Sequence, residues 1–107
     1  MKTRTAIAAI TLTLTVPFAA SAAMITGKDG SSVAVNTTVY NLESAAGQEL
    51  LYTHLKRAAR QVCGVTDIRR AGSLEQALQN RSCVREALDQ AVEDVNHAGL
   101  KRVHKQS

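Results

Sequence analysis

The chain holds two cysteines, Cys63 and Cys83, and each lies in a stretch with helical spacing, Glu49–Cys63 and Cys83–Val95. Successive helical residues turn by about 100°. Leu51, Leu55, Ala58 and Val62 therefore fall in one narrow wedge, with Ala59 and Tyr52 on its flank and Lys56, Arg57 and Arg60 on the other side. In the second stretch Val84, Ala87, Leu88, Ala91, Val92 and Val95 form the apolar stripe, and Glu86, Asp89, Glu93 and His97 line the opposite face. Two such stripes bury each other most economically as an antiparallel pair. The expected fold is mainly α: two amphipathic helices packed as a hairpin, a short N-terminal extended segment and one disulfide, Cys63 to Cys83. That bridge closes a loop of about 20 residues, which the chain-entropy relation values at about 3 kcal/mol. Beside a typical total stability of about 5–15 kcal/mol, it can decide whether the domain folds.

Disulfides persist in oxidising compartments, and the N-terminus points to one. Met1–Ala22 reads as a cleaved secretory signal: Lys2 and Arg4 lead an uncharged run from Thr5 to Ala20, followed by the small residues Ala20, Ser21 and Ala22. Cleavage is expected after Ala22, with Ala23 as the alternative. A membrane anchor would need about 20 predominantly apolar residues, and this run is interrupted by Thr11, Thr13, Thr15 and Pro17. The expected location is periplasmic or secreted, with no transmembrane span after cleavage. Loss of Lys2 and Arg4 lowers the formal charge from +4 to +2. Only Tyr40 and Tyr52 then remain as aromatic residues, so a nucleic-acid partner, which wants cations beside stacking platforms, is argued against.

Residues 23–32, rich in Gly and Ser, read as a flexible leader. Val33, Val35, Thr37 and Val39 alternate with Ala34, Asn36 and Thr38, the period-2 pattern of a half-buried strand. No second convincing strand is legible. Val33–Val39 is thus expected either to lie extended over the helices or to pair with a second copy or a partner's edge. Asn41 or Ser44 caps the first helix, and Val65–Gly72 reads as a polar connection. Ser73-Leu74-Glu75-Gln76 has capping-box order and starts the second helix early, with Leu74, Ala77 and Leu78 roughly continuing its stripe. A helix unbroken from Ser73 puts Cys83 about 15 Å along it. To reach Cys63, the connection must fold back along the helix, or the helix must break near Asn80-Arg81-Ser82. Lys101–Ser107 carries little packing signal beyond Val103. Residues 33–104 are read as one domain and 105–107 as a tail.

Val39-Tyr40-Asn41-Leu42, Leu51-Tyr52, Ala58-Ala59-Arg60-Gln61-Val62-Cys63-Gly64, then Cys83, Ala87, Ala91-Val92, Val95-Asn96 and Leu100 resemble the UrcA family of small exported bacterial proteins. The resemblance implies a signal peptide, a short extended segment, two main helices and a disulfide. It carries no catalytic residues across. Family members often show Asp-Leu where this chain has Asn41-Leu42, and Pro where it has Gly99.

No catalytic or cofactor motif accompanies these features. His54 and Cys63 share a helix but sit on opposite faces, and an oxidised cysteine offers no thiolate. The cysteines lack Cys-x-x-Cys spacing, and a zinc site would need further ligands. Two surfaces stand out as candidate sites. Glu86, Asp89, Glu93 and His97, one turn apart, could hold a divalent or other hard cation, or could be a solvated face with Arg85 and Asp89 paired. Lys56, Arg57 and Arg60 could meet anionic lipid or another envelope polyanion. The expected role is non-catalytic, without a cofactor: a binding or structural module whose partner is an unknown envelope protein or a second copy of itself.

Overall fold

A computed structural model describes residues 22–107; the segment expected to be a signal, apart from Ala22, lies outside the described residues. Two strands, β1 (Ala22–Thr26) and β2 (Ser32–Asn36), precede four helices: α1 (Ala45–Cys63), α2 (Ile68–Ala71), α3 (Leu74–Val95) and α4 (Ala98–Gln106).

Ser44 caps α1, its Oγ accepting from the Gly47 N–H at 3.0 Å, which selects it over Asn41. The first turn is pressed against the preceding chain. A Cβ on Gly47 would fall on the carbonyl oxygen of Asn41, nearer than real side chains come. Gly47→Ala would gain up to about 1 kcal/mol of propensity in an open helix. Here the lead-in must shift, and a net loss of about 1–3 kcal/mol is expected, read as a lowered thermal midpoint.

Leu51, Leu55, Ala58 and Ala59 of α1 meet Ala87, Leu88, Ala91 and Val92 of α3 in one buried cluster. Cys63, at the end of α1, is bonded to Cys83, with Cα atoms 5.6 Å apart. α3 is continuous from Leu74, capped by Ser73 Oγ on the Gln76 N–H, so the connection folds back along it. Gly64, at φ 99°, makes the departure from α1. Buried Asn80 then fixes the returning chain: its Nδ2 donates to the Val65 carbonyl at 2.7 Å, and its Oδ1 accepts from Gln76 at 2.9 Å. Asp67 caps the single turn of α2, and Gly72, in the left-handed region, ends it.

The two-helix expectation is too small in two places. The stretch expected to be a flexible leader forms β1, which pairs antiparallel with β2 in the register Ala23 to Val35 and Ile25 to Val33. Ala23 and Ile25 are fully buried, and the hairpin lies across α1 and α3. The strand expected over Val33–Val39 ends at Asn36. Around the turn, Asp29 accepts from the Ser31 hydroxyl and N–H, and these bonds hold its carboxyl below the usual carboxylate range. The second correction is α4, which occupies residues expected to be mostly unpacked tail. His97 caps it, Leu100 is fully buried, and buried Gly99 sits against the Gln48 side chain. The architecture is therefore three helices longer than one turn, the hairpin covering α1 and α3 from one direction and α4 packing on α1 and α3 without touching the hairpin.

Candidate functional site

The side chains with chemical potential are engaged in holding peripheral segments to the α1–α3 pair. His104 of α4 lies between the other two helices: its Nε2 is 2.5 Å from Asp89 Oδ1 on α3, and its Nδ1 is 2.9 Å from Tyr52 Oη on α1. The tautomer with Nε2–H donating to the carboxylate leaves Nδ1 to accept from the phenol, satisfying both contacts. A carboxylate–imidazole–phenol chain is an arrangement through which a proton can move. Tyr52, however, is only 5% exposed, and its ring lies under the Lys56 ammonium, 5.1 Å from the ring centroid. As built, it clasps α4 in place.

The other two histidines act alike. His54 Nδ1 is hydrogen-bonded to Tyr40 Oη, the rings meeting edge to face at a centroid distance of 5.3 Å, and this ties the strand-to-helix lead-in to α1. His97 Nδ1 accepts from the Gly99 N–H at 3.1 Å, and its Nε2 stands 4.0 Å from Glu43. Both cysteines are in the disulfide.

Of the four residues proposed from sequence as cation ligands, three have separate roles or partners and the fourth, Glu86, is exposed on α3. Asp89 faces His104, Glu93 faces Lys101 at 3.9 Å, and His97 caps α4. Among the described residues, no group of three or more His, Cys, Asp or Glu side chains is placed to hold a metal ion. Asp89 turns to α4 because that helix, which the apolar pattern did not reveal, brings an imidazole within reach. Lys56 and Arg57 border different surfaces, and Arg60 is exposed one turn further along α1. Half-buried Lys56 borders a hollow shared with Val103 and Gln106 of α4, whereas Arg57 lines a groove with Val35 and Val39 beside β2.

A different surface is left over. Val65, Ile68, Leu74 and Leu78, exposed by 37%, 45%, 56% and 51%, all belong to the hook made by α2 and the start of α3. Exposed Arg69, Arg70 and Arg81 lie in the same hook, and exposed Arg85 follows one turn after Arg81 on α3. The Arg81 Nε donates to the Thr66 carbonyl at 3.2 Å, adding a second tie between the returning chain and α3. Scattered exposed apolar residues need no explanation, but a grouped set does. Sequence reasoning missed it by joining Leu74 and Leu78 to the buried stripe. The available signal was angular: at about 100° per residue they stand about 60° and 100° from Ala77, which is the residue fully buried there.

No described helix is long and apolar enough to cross a membrane, and the disulfide is compatible with an oxidising compartment. Comparison with protein-family models, with curated proteins and with solved structures returned no match for this chain.

Proposed function

We propose that this chain is a non-catalytic binding or structural module of the bacterial cell envelope, exported by a cleaved signal and working in the periplasm or outside the cell. The observation that carries the reading is the allocation of side chains. Cysteine, histidine and tyrosine are committed to clasps that join α1 to α3 and hold the lead-in and α4 on a small core, while aliphatic and cationic groups face outward at the α2–α3 hook. A module built to bind rather than react needs a rigid scaffold and an exposed surface of mixed apolar and charged character. The resemblance of Val39–Leu42, Ala58–Gly64 and the Cys83–Leu100 positions to the UrcA family supports export and carries no catalytic residues across.

Intact-mass analysis of protein recovered from the native envelope checks export: the expected species starts at Ala23 and has no free thiol. Retained leader, or both thiols free, would overturn the location. Turnover of any substrate by the purified oxidised protein, lost on replacing one polar residue such as His104, would overturn the non-catalytic part.

A second reading has one observation in its favour. The hairpin has only two strands, so the far edge of β2 has no strand partner among the described residues, and open edges invite pairing with a second copy. Light scattering decides it: a strictly monomeric mass at high concentration removes self-association.

A further inference from the structure

We propose that the α2–α3 hook is a membrane-docking corner that seats on an anionic bilayer surface, with Leu74, Leu78 and Ile68 entering the headgroup boundary and Arg69, Arg70, Arg81 and Arg85 meeting lipid phosphates. This rests on the reading of the chain as an envelope binding module and names that module's partner.

Position comes first. α1 ends at Cys63, bonded to Cys83 well inside α3. The nine residues of α3 before Cys83 advance about 14 Å, and in that stretch their covering is the returning chain of α2, held by the Asn80–Val65 and Arg81–Thr66 bonds. The corner is fixed from behind by a covalent bond and two hydrogen bonds, so docking orders no loose segment.

Composition of the face comes second. Taking Leu74 as the origin and about 100° per residue, Leu78, Arg81 and Arg85 fall within a sector about 60° wide around it. Glu75 and Glu86 lie about 100° and 120° away. The α3 side of the corner is therefore aliphatic and cationic together, with its carboxylates turned elsewhere. α2 adds Ile68 and the arginines of its only turn. This is the composition that holds a surface helix at an anionic interface, with aliphatic chains in the acyl boundary and basic groups at phosphate level.

Complementarity separates the bilayer from the other occupants. A second copy docking through the same corner would bring one set of four arginines up to another, because a two-fold contact uses the same patch on both copies, and like charges would oppose it. A protein partner is commonly recognised through aromatic as well as arginine anchors at the centre of the patch, and the aromatic ones are missing from this corner. Tyr40 and Tyr52 are both away from this corner, clasped by His54 and His104. An anionic bilayer needs neither aromatic anchors nor a matched surface.

The test is co-sedimentation of the oxidised protein, as recovered from cells, with phosphatidylcholine vesicles and with mixed phosphatidylcholine–phosphatidylglycerol vesicles. Partitioning onto the mixed vesicles should exceed that onto the neutral ones by about tenfold or more, and should fall as salt rises. Arg69→Glu with Arg70→Glu should lower it by at least about tenfold. Leu74→Ser with Leu78→Ser should abolish it. Leu50→Ser, at a 57% exposed apolar residue on α1, should bind as the parent does. All three variants alter exposed positions, so unchanged helical circular dichroism and an intact disulfide show that they fold. Equal partitioning onto both vesicles, binding that survives the corner variants, or a dimer lost on Leu74→Ser/Leu78→Ser without vesicle binding would each overturn the bilayer assignment. A soluble protein captured through this corner in place of vesicles would overturn it too, while leaving the non-catalytic envelope module standing.

Discussion

Replacing Cys63 and Cys83 together by serine is expected to lower the unfolding free energy by about 3 kcal/mol. The two positions are 20 apart in sequence, and closing a loop of that size in the unfolded chain is worth about that much. The loss would not be spread evenly. The core of α1, α3, β1 and α4 lies mainly on the Val95 side of the bridge, whereas the hook beyond Cys83 adds one buried apolar residue, Ala77, and buried Asn80. With the bond gone, the hook retains Asn80 on Val65 and Arg81 on Thr66, each worth about 0.5–1.5 kcal/mol net. Amide exchange in α2 and in residues 74–82 should therefore accelerate more than in residues 87–92. A denaturant midpoint unchanged by the double substitution, or by a reductant acting on the parent protein, would mean that the bridge does not hold the two helices together.

Ile25→Ala should cost about 2–5 kcal/mol, the range for emptying a well-packed core site. Ile25 is fully buried, in the same cluster as Leu51, Leu55 and Leu88. The same change at Met24, its neighbour on the exposed face of the hairpin and 46% accessible, should cost less than about 0.5 kcal/mol. The pair gives a sharp readout by urea unfolding, because the two positions differ by one residue and point to opposite faces of a strand. Equal small effects would place residues 22–26 off the helices, as a free leader would be.

The contrast between those residues and the helices shows what was legible. Buried α1 and α3 positions follow from the 100° period, and Leu51, Leu55, Ala58, Leu88 and Ala91 are where that period puts them. β1 was obscured because Ala23 and Ile25 adjoin the small residues Ala20, Ser21 and Ala22 and the Gly-Ser run. Two alternating apolar residues are too short a pattern to outweigh that context. Once β1 is present, the lone strand of the sequence reading has its partner within the chain. α4 escaped notice for a related reason: nine residues with two large apolar side chains and a glycine make a weak helix by propensity. Docking supplies what propensity lacks, through Leu100, the His97 cap and the His104 clasp. The carboxylate row on α3 was correctly seen as a row, but its destination depended on that unforeseen helix. The hook was hidden in turn because a buried stripe and an exposed one differ by well under half a helical turn, a difference that becomes visible only when Asn80 and the returning chain fix which side is covered.

One consequence of the histidine clasps is optical. The chain has no tryptophan, and its only tyrosines are Tyr40 and Tyr52, which therefore carry its tyrosine emission. One is bonded to His54 and reports on the strand-to-helix lead-in; the other is bonded to His104 and reports on α4. With Tyr40→Phe and Tyr52→Phe as single-emitter versions, the undocking of each segment can be followed separately, using fluorophores that the molecule already carries.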